Sequence, residues 1–150
     1  MDTIKTLTLV SLGKRQPERS ELHRMEAADL SIRASLYGDV LNTDLLDERY
    51  LERAPQMRKF LCKPLPGEAS QLLEALLVKG KYDAVISWSE RLGLPFALLL
   101  KFTRSRVPHV TIFSWISGRK KAQLLRVVHS HIDRLILMSS VQRDFAVNVL

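Results

Sequence analysis

Glu90 and Arg91 put a carboxylate beside a guanidinium directly after the apolar run "YDAVISW", where a strand gives way to a helix. A carboxylate in that position binds sugar hydroxyls, or is simply an acidic first-turn residue favoured by the helix dipole. "GRKK", Gly118 to Lys121, follows a later apolar run and either engages an anionic group at the onset of the next helix or forms a solvated basic turn. His23 has Glu21 and Glu26 nearby, which suits a general base, though a surface helix residue is the plainer reading. His129 and His131 are two apart and would point to different helix faces, which speaks against a shared metal and suggests exposed helix-end residues. His109 follows Pro108 at a strand start, remote from any ligand edge, and reads as structural. Cys62 is the sole cysteine, so neither an internal disulfide nor a thiolate-rich metal cluster is available.

Nucleotide chemistry leaves no signature here. "SLGKRQPERSE" contains one glycine, Gly13, and matches neither G-x-G-x-x-G nor the P-loop, so Gly13 reads as a tight-turn residue. A phosphoacceptor receiver would need acidic residues at the ends of the first and third strands, where this chain has Leu12-Gly13 and Trp88-Ser89. No cofactor is called for.

These residues are positioned by alternating elements. "TLTLVSL", "YDAVISW", "HVTIFSW" and "DRLILMS" are rich in Val, Ile and aromatics and lack helical periodicity, which predicts strands; "RASLYG", Arg33 to Gly38, is a fifth and less apolar candidate. Apolar residues on successive positions predict a sheet covered on both faces. Glu68–Lys79 is expected to be a helix with Leu72, Leu73, Leu76 and Leu77 on one stripe and Gly80 as a left-handed cap. Arg91–Thr103 is expected as an apolar helix with Pro95 in or near its first turn, and Lys120–Ser130 as an amphipathic one. Asp144–Leu150 is expected to sit in a last helix. Val40–Cys62, broken by Pro55, reads as two short helices. No internal repeat is visible.

The resulting fold class is α/β, a Rossmann-like open and mainly parallel sheet with helices on both faces, in a single domain over residues 1–150. Ligands of such sheets meet the carboxyl ends of the strands. That edge would gather Gly13, Lys14 and Arg15, then Ser87, Ser89, Glu90 and Arg91, then Ser114 and Trp115, then Ser139 and Ser140.

"YDAVISWSERLGLPFALLLK", then "SRVPHVTIFSW", then "HIDRLILMSSVQRDFAVNVL" resembles the amino-terminal half of GT-B retaining glycosyltransferases of the glycosyl transferase group 1 class, also called family 4. Asp133, Arg134, Ile136, Ser139 and Arg143 follow that family's fifth-strand pattern in order, and the likeness spans about Lys81 to Leu150. It implies an acceptor-binding domain whose partner domain holds the nucleotide sugar, inactive in transfer by itself. The implied partner is a hydroxyl acceptor: a sugar, a lipid-linked group or a small molecule. Many relatives carry a histidine after the fourth strand, where this chain has Phe113-Ser114-Trp115-Ile116-Ser117. Trp115 there would stack on a sugar ring and Ser114 would hydrogen bond to it. A non-catalytic domain that binds a protein partner is the alternative.

The formal charge of +7 attracts phosphates, nucleic acid or anionic membrane. Nucleic acid is disfavoured by the lack of a recognisable motif, while a basic amphipathic face at Lys120 to Arg126 raises peripheral membrane contact. No apolar run approaches the roughly 18 residues of a spanning helix, and the basic residues of the first segment follow its apolar run, so the expected location is cytoplasmic.

Overall fold

The computed structural model describes residues 4–11, 19–28, 43–47, 55–62, 64–114 and 119–150. Five strands, β1 (Thr6–Leu9), β2 (Thr43–Leu46), β3 (Ala84–Ser87), β4 (His109–Phe113) and β5 (Arg134–Leu137), form one sheet in the order β2-β1-β3-β4-β5. Every pairing is parallel. The described helices are α1 (Arg19–Ala27), α2 (Gln56–Cys62), α3 (Gly67–Val78), α4 (Glu90–Phe102), α5 (Arg119–Val128) and α6 (Ser140–Val149). The expected Rossmann-like architecture is therefore present.

Register decides which side chains share a face. Leu7 aligns with Val85, Val85 with His109, Thr111 with Leu135 and Phe113 with Leu137, and α3 to α6 cover this face. One core cluster joins Leu7, Leu9, Leu46 and Val85 to Leu72, Ala75, Phe96 and Leu100; the other joins Phe113 to Leu94, Ala97, Leu125, Val128 and Ala146. The β1-to-β2 connection runs in the opposite direction across the sheet, so a right-handed crossover places α1 on the other face. There Thr6, Thr8 and Thr43 are buried, and the hydroxyls of Thr8 and Thr43 are 2.8 Å apart.

Four expectations are corrected. The second strand is Thr43–Leu46, within the segment read as two helices; among its described residues α2, after Pro55, is the helical part, and Arg33–Gly38 lies outside the described residues. α3 buries Gln71, Leu72, Ala75 and Val78 and leaves Leu77 half-exposed, so its inward face is turned from the leucine stripe. Gly80 is no left-handed cap, because α3 continues through right-handed Lys79 into a 3-10 turn, Lys79–Lys81. Pro95 lies inside α4, past the four leading N–H groups that need no helical partner.

A repeat invisible in the residue pattern also emerges. Around β3 and β5 the chain follows the same course at an offset of fifty residues: helix, 3-10 turn (Lys79–Lys81 or His129–His131), Asp, strand, Ser, helix. Asp83 accepts from the Lys5 N–H at 2.8 Å while its own N–H donates to the Lys5 carbonyl. Asp133 does the same with His109, also at 2.8 Å. Each aspartate ties the start of its strand to the start of the preceding neighbour in the sheet.

Candidate functional site

The sheet order reverses between β1 and β3, and ligands of doubly wound sheets bind outside the carboxyl ends at that crevice. Trp88 donates to the Leu9 carbonyl at 2.9 Å and carries the β1–β3 ladder one residue further. Ser89 then adopts extended φ/ψ as the N-cap of α4, and its side chain makes no capping bond. Helix N-caps usually spend such a hydroxyl on an orphan N–H; here it is not used that way.

Glu90 is nearly buried and committed to structure. Its Oε2 accepts from the Ser114 N–H at 3.2 Å and its Oε1 from Lys121 Nζ at 2.8 Å. One carboxylate thus ties the start of α4 to the exit of β4 and the first turn of α5. Arg91 reaches back to Glu68 Oε1 at 2.7 Å, yet 71% of its side chain is exposed, so it borders the edge.

Gly93 permits this arrangement. A Cβ on it would stand 2.2 Å from Thr111 Cγ2, so only glycine lets α4 lie this close to β4. Ser114 is exposed, and Gln142 Nε2 donates to its carbonyl at 3.0 Å while Gln142 Oε1 accepts from the Met138 N–H at 2.8 Å. Ser139 caps α6, accepting from the Gln142 N–H at 3.3 Å. Glu90 and Gln142 together fix the β4 exit from both sides.

Beneath the other half of the edge, buried Gln71 donates through Nε2 to the carbonyls of Val10, at 2.7 Å, and Leu46. It joins the ends of β1 and β2. One turn along α3, buried Glu74 pairs with Arg58 of α2 at 2.6 Å. Gln71 Oε1 and Glu74 Oε2 are buried acceptors with no partner among the described residues.

Ser87 and His109 belong to the core. His109 Nε2 is 2.9 Å from Ser87 Oγ and 3.2 Å from Thr111 Oγ1, its Nδ1 is 3.2 Å from the His131 carbonyl, and Phe96 meets its ring edge-on at 5.1 Å. A carbonyl accepts only, so Nδ1 carries the proton and Nε2 accepts from the hydroxyls. Burial lowers its pKa to about 4, against the smaller upward pull of the His131 carbonyl and Asp133. His109 is a neutral structural histidine, as its place at a strand start suggested. His129 and His131 form the 3-10 turn after α5.

Of the residues expected at this edge, Ser89, Glu90, Arg91, Ser114 and Ser139 stand at three adjacent strand exits. Gly13, Lys14 and Trp115 lie outside the described residues, as does the His23 side chain in α1. Gly93, Gln71 and Gln142 were missed; the Ser-x-x-Gln spacing of Ser139 and Gln142 is a capping-box signal that sequence does offer. No family model, curated protein or solved structure matched this chain.

Proposed function

We propose that this chain is the acceptor-binding, amino-terminal domain of a retaining glycosyltransferase, which moves a sugar from a nucleotide sugar held by a second domain onto a hydroxyl acceptor. The observation that carries the reading is the uncommitted cap of α4: Ser89 stands beside the β1–β3 reversal, its hydroxyl unused in capping, with exposed Arg91 next to it. Ser114 and Ser139 follow at the next two exits. Strands about 4.8 Å apart put the exits of β3 and β5 roughly 10 Å from each other, a span suited to a small hydroxylated ligand. The ordered family-like segments from Lys81 onward support the same reading. Serine hydroxyls neither gain nor lose a proton near neutral pH, so these serines position an acceptor and leave acid–base chemistry to other groups.

Saturation-transfer NMR on the full chain with a panel of monosaccharides and disaccharides tests this. At least one carbohydrate should receive saturation, and Ser89→Ala combined with Arg91→Ala should abolish the effect while the melting temperature holds. Saturation that survives both substitutions, or none with any sugar, contradicts the reading. The protein-partner alternative draws on one feature, the outer edge of β5, which pairs with no further strand among the described residues and has Ile136 and Met138 exposed beside it. A concentration-dependent mass that Ile136→Lys abolishes would favour it.

A further inference from the structure

Residues 91–132 contain eight Lys and Arg and no Asp or Glu; the rest of the chain, with fifteen basic against sixteen acidic residues, is close to neutral. The whole net positive charge of the protein therefore resides in α4, β4, α5 and their connections.

Part of that charge is internally committed. Lys121 pairs with Glu90, and Arg126 Nε donates to the Val149 carbonyl at 2.8 Å, so the Lys120–Arg126 face singled out from the sequence is only partly available. Further cations gather where α4 ends. Lys101, Arg104 and Arg106 are all exposed there. Burial lowers the pKa of His131, the charges of Arg106 and Lys101 lower it further and Asp133 opposes them, which places Arg106 and Lys101 with His131 and Asp133 at one end of the molecule.

Large apolar side chains stand among these cations. Phe102 is 86% exposed and Leu98, one turn earlier on α4, is 42% exposed. Lys101 Nζ donates to the Val127 carbonyl at 2.5 Å, which sets Val127 of α5, 47% exposed, beside the same turn. Arg104 has φ 53, the left-handed region. It occupies the position after the α4 cap, with the Ser105 N–H bonded to the Leu100 carbonyl at 2.9 Å and its own N–H to the Lys101 carbonyl at 3.1 Å. That six-to-one and five-to-two pattern usually takes glycine. An arginine kept there, at a conformational cost, points to use of its charge.

We infer that the end of α4 and the adjoining face of α5 form a docking surface for a membrane leaflet containing anionic lipid, with Leu98, Phe102 and Val127 entering the interface and Lys101, Arg104 and Arg106 meeting headgroup phosphates. The combination selects this occupant. A phosphate polymer would be held by the cations alone, and of the three apolar groups only Phe102 offers a ring on which a base stacks. A leaflet uses both components, since apolar burial and attraction of Lys and Arg to anionic headgroups add.

Sedimentation of the full chain with vesicles of phosphatidylcholine, alone or mixed with phosphatidylserine, tests this at about 0.15 M salt, where exposed charges are screened beyond roughly 8 Å. The protein should pellet with the anionic vesicles and stay in solution with the neutral ones. Arg104→Gln with Arg106→Gln should lower partitioning by about thirtyfold, and Leu98→Ser with Phe102→Ser by tenfold or more. No retention on anionic vesicles overturns the inference, and so does retention indifferent to the apolar pair. Displacement from the vesicles by a single-stranded RNA oligonucleotide that binds more tightly would assign the surface to nucleic acid and overturn it as well. The comparison of neutral with anionic vesicles uses the unaltered chain, so the test survives a variant that fails to fold.

Discussion

Three single residues do more for this fold than their types advertise. His109 is held neutral in the core, with a pKa near 4, against about 6.5 in an open chain. Because the folded value is the lower one, the unfolded chain takes up a proton first as pH falls. Stability should be flat above about pH 6.5, decline through the window down to about pH 4 by some 3 kcal/mol from this group, and level off below. Urea unfolding at a series of pH values measures it, and a folded His109→Gln should lose this slope. Gly93→Ala sets a helix-propensity gain of about 1 kcal/mol against a Cβ driven into Thr111, and the clash should prevail, for a net loss of about 2 kcal/mol in melts. Gln71→Ala strips a donor from two buried strand-end carbonyls and should cost about 2 kcal/mol. Neither Gly93 nor Gln71 was legible beforehand. A glycine inside an apolar helix and a glutamine among leucines carry no mark of what lies across the gap, and their roles exist only once α4 meets β4 and α3 meets the ends of β1 and β2.

At the scale of elements, legibility followed burial. β1, β3 and β4 could be read because they are largely buried and leave compact, branched apolar runs, whereas β5, with Arg134 and Ile136 exposed, was legible from its apolar run alone. β2 could not: it is a four-residue edge strand, "TDLL", with an exposed Asp44, and Leu45 and Leu46 stand at helical spacing to Arg49 and Tyr50. The α3 stripe was misjudged for a related reason. Gln71 and Glu74 turn inward to bond strand ends and Arg58, and Leu77 is thereby turned outward. Two joints between elements are open to test. Glu90→Ala frees the β4 exit and removes one partner of Lys121, so a loss of about 2 kcal/mol is expected, with faster hydrogen exchange at Ser114. Arg104→Gly relieves a left-handed arginine and should raise stability by roughly 0.5–1 kcal/mol, the left-handed relief being offset in part by glycine's greater unfolded entropy.

For the whole molecule, sheet order and charge distribution divide the labour. The carboxyl edge is serine-rich and braced from beneath by Glu90, Gln71 and Gln142, while the basic and apolar side chains collect at the far end of α4. Among the described residues no helix is long and apolar enough to cross a membrane. The general plan of parallel strands and crossover helices was readable because it depends on hydrophobic period and length alone. The site was readable only as a set of strand exits, since whether Glu90 faces a ligand or a neighbouring backbone N–H depends on sub-ångström placement. Transfer from nucleotide sugars by this chain alone should be negligible, with donor consumption indistinguishable from buffer in a coupled diphosphate-release assay. The most direct test of the central claim is a two-dimensional amide NMR titration with the best-saturated carbohydrate. Shifts confined to Ser89, Glu90, Arg91, Ser114, Met138 and Ser139 are the expected result; shifts clustered at the opposite edge, around Lys81, Arg104 and Ser130, would contradict it.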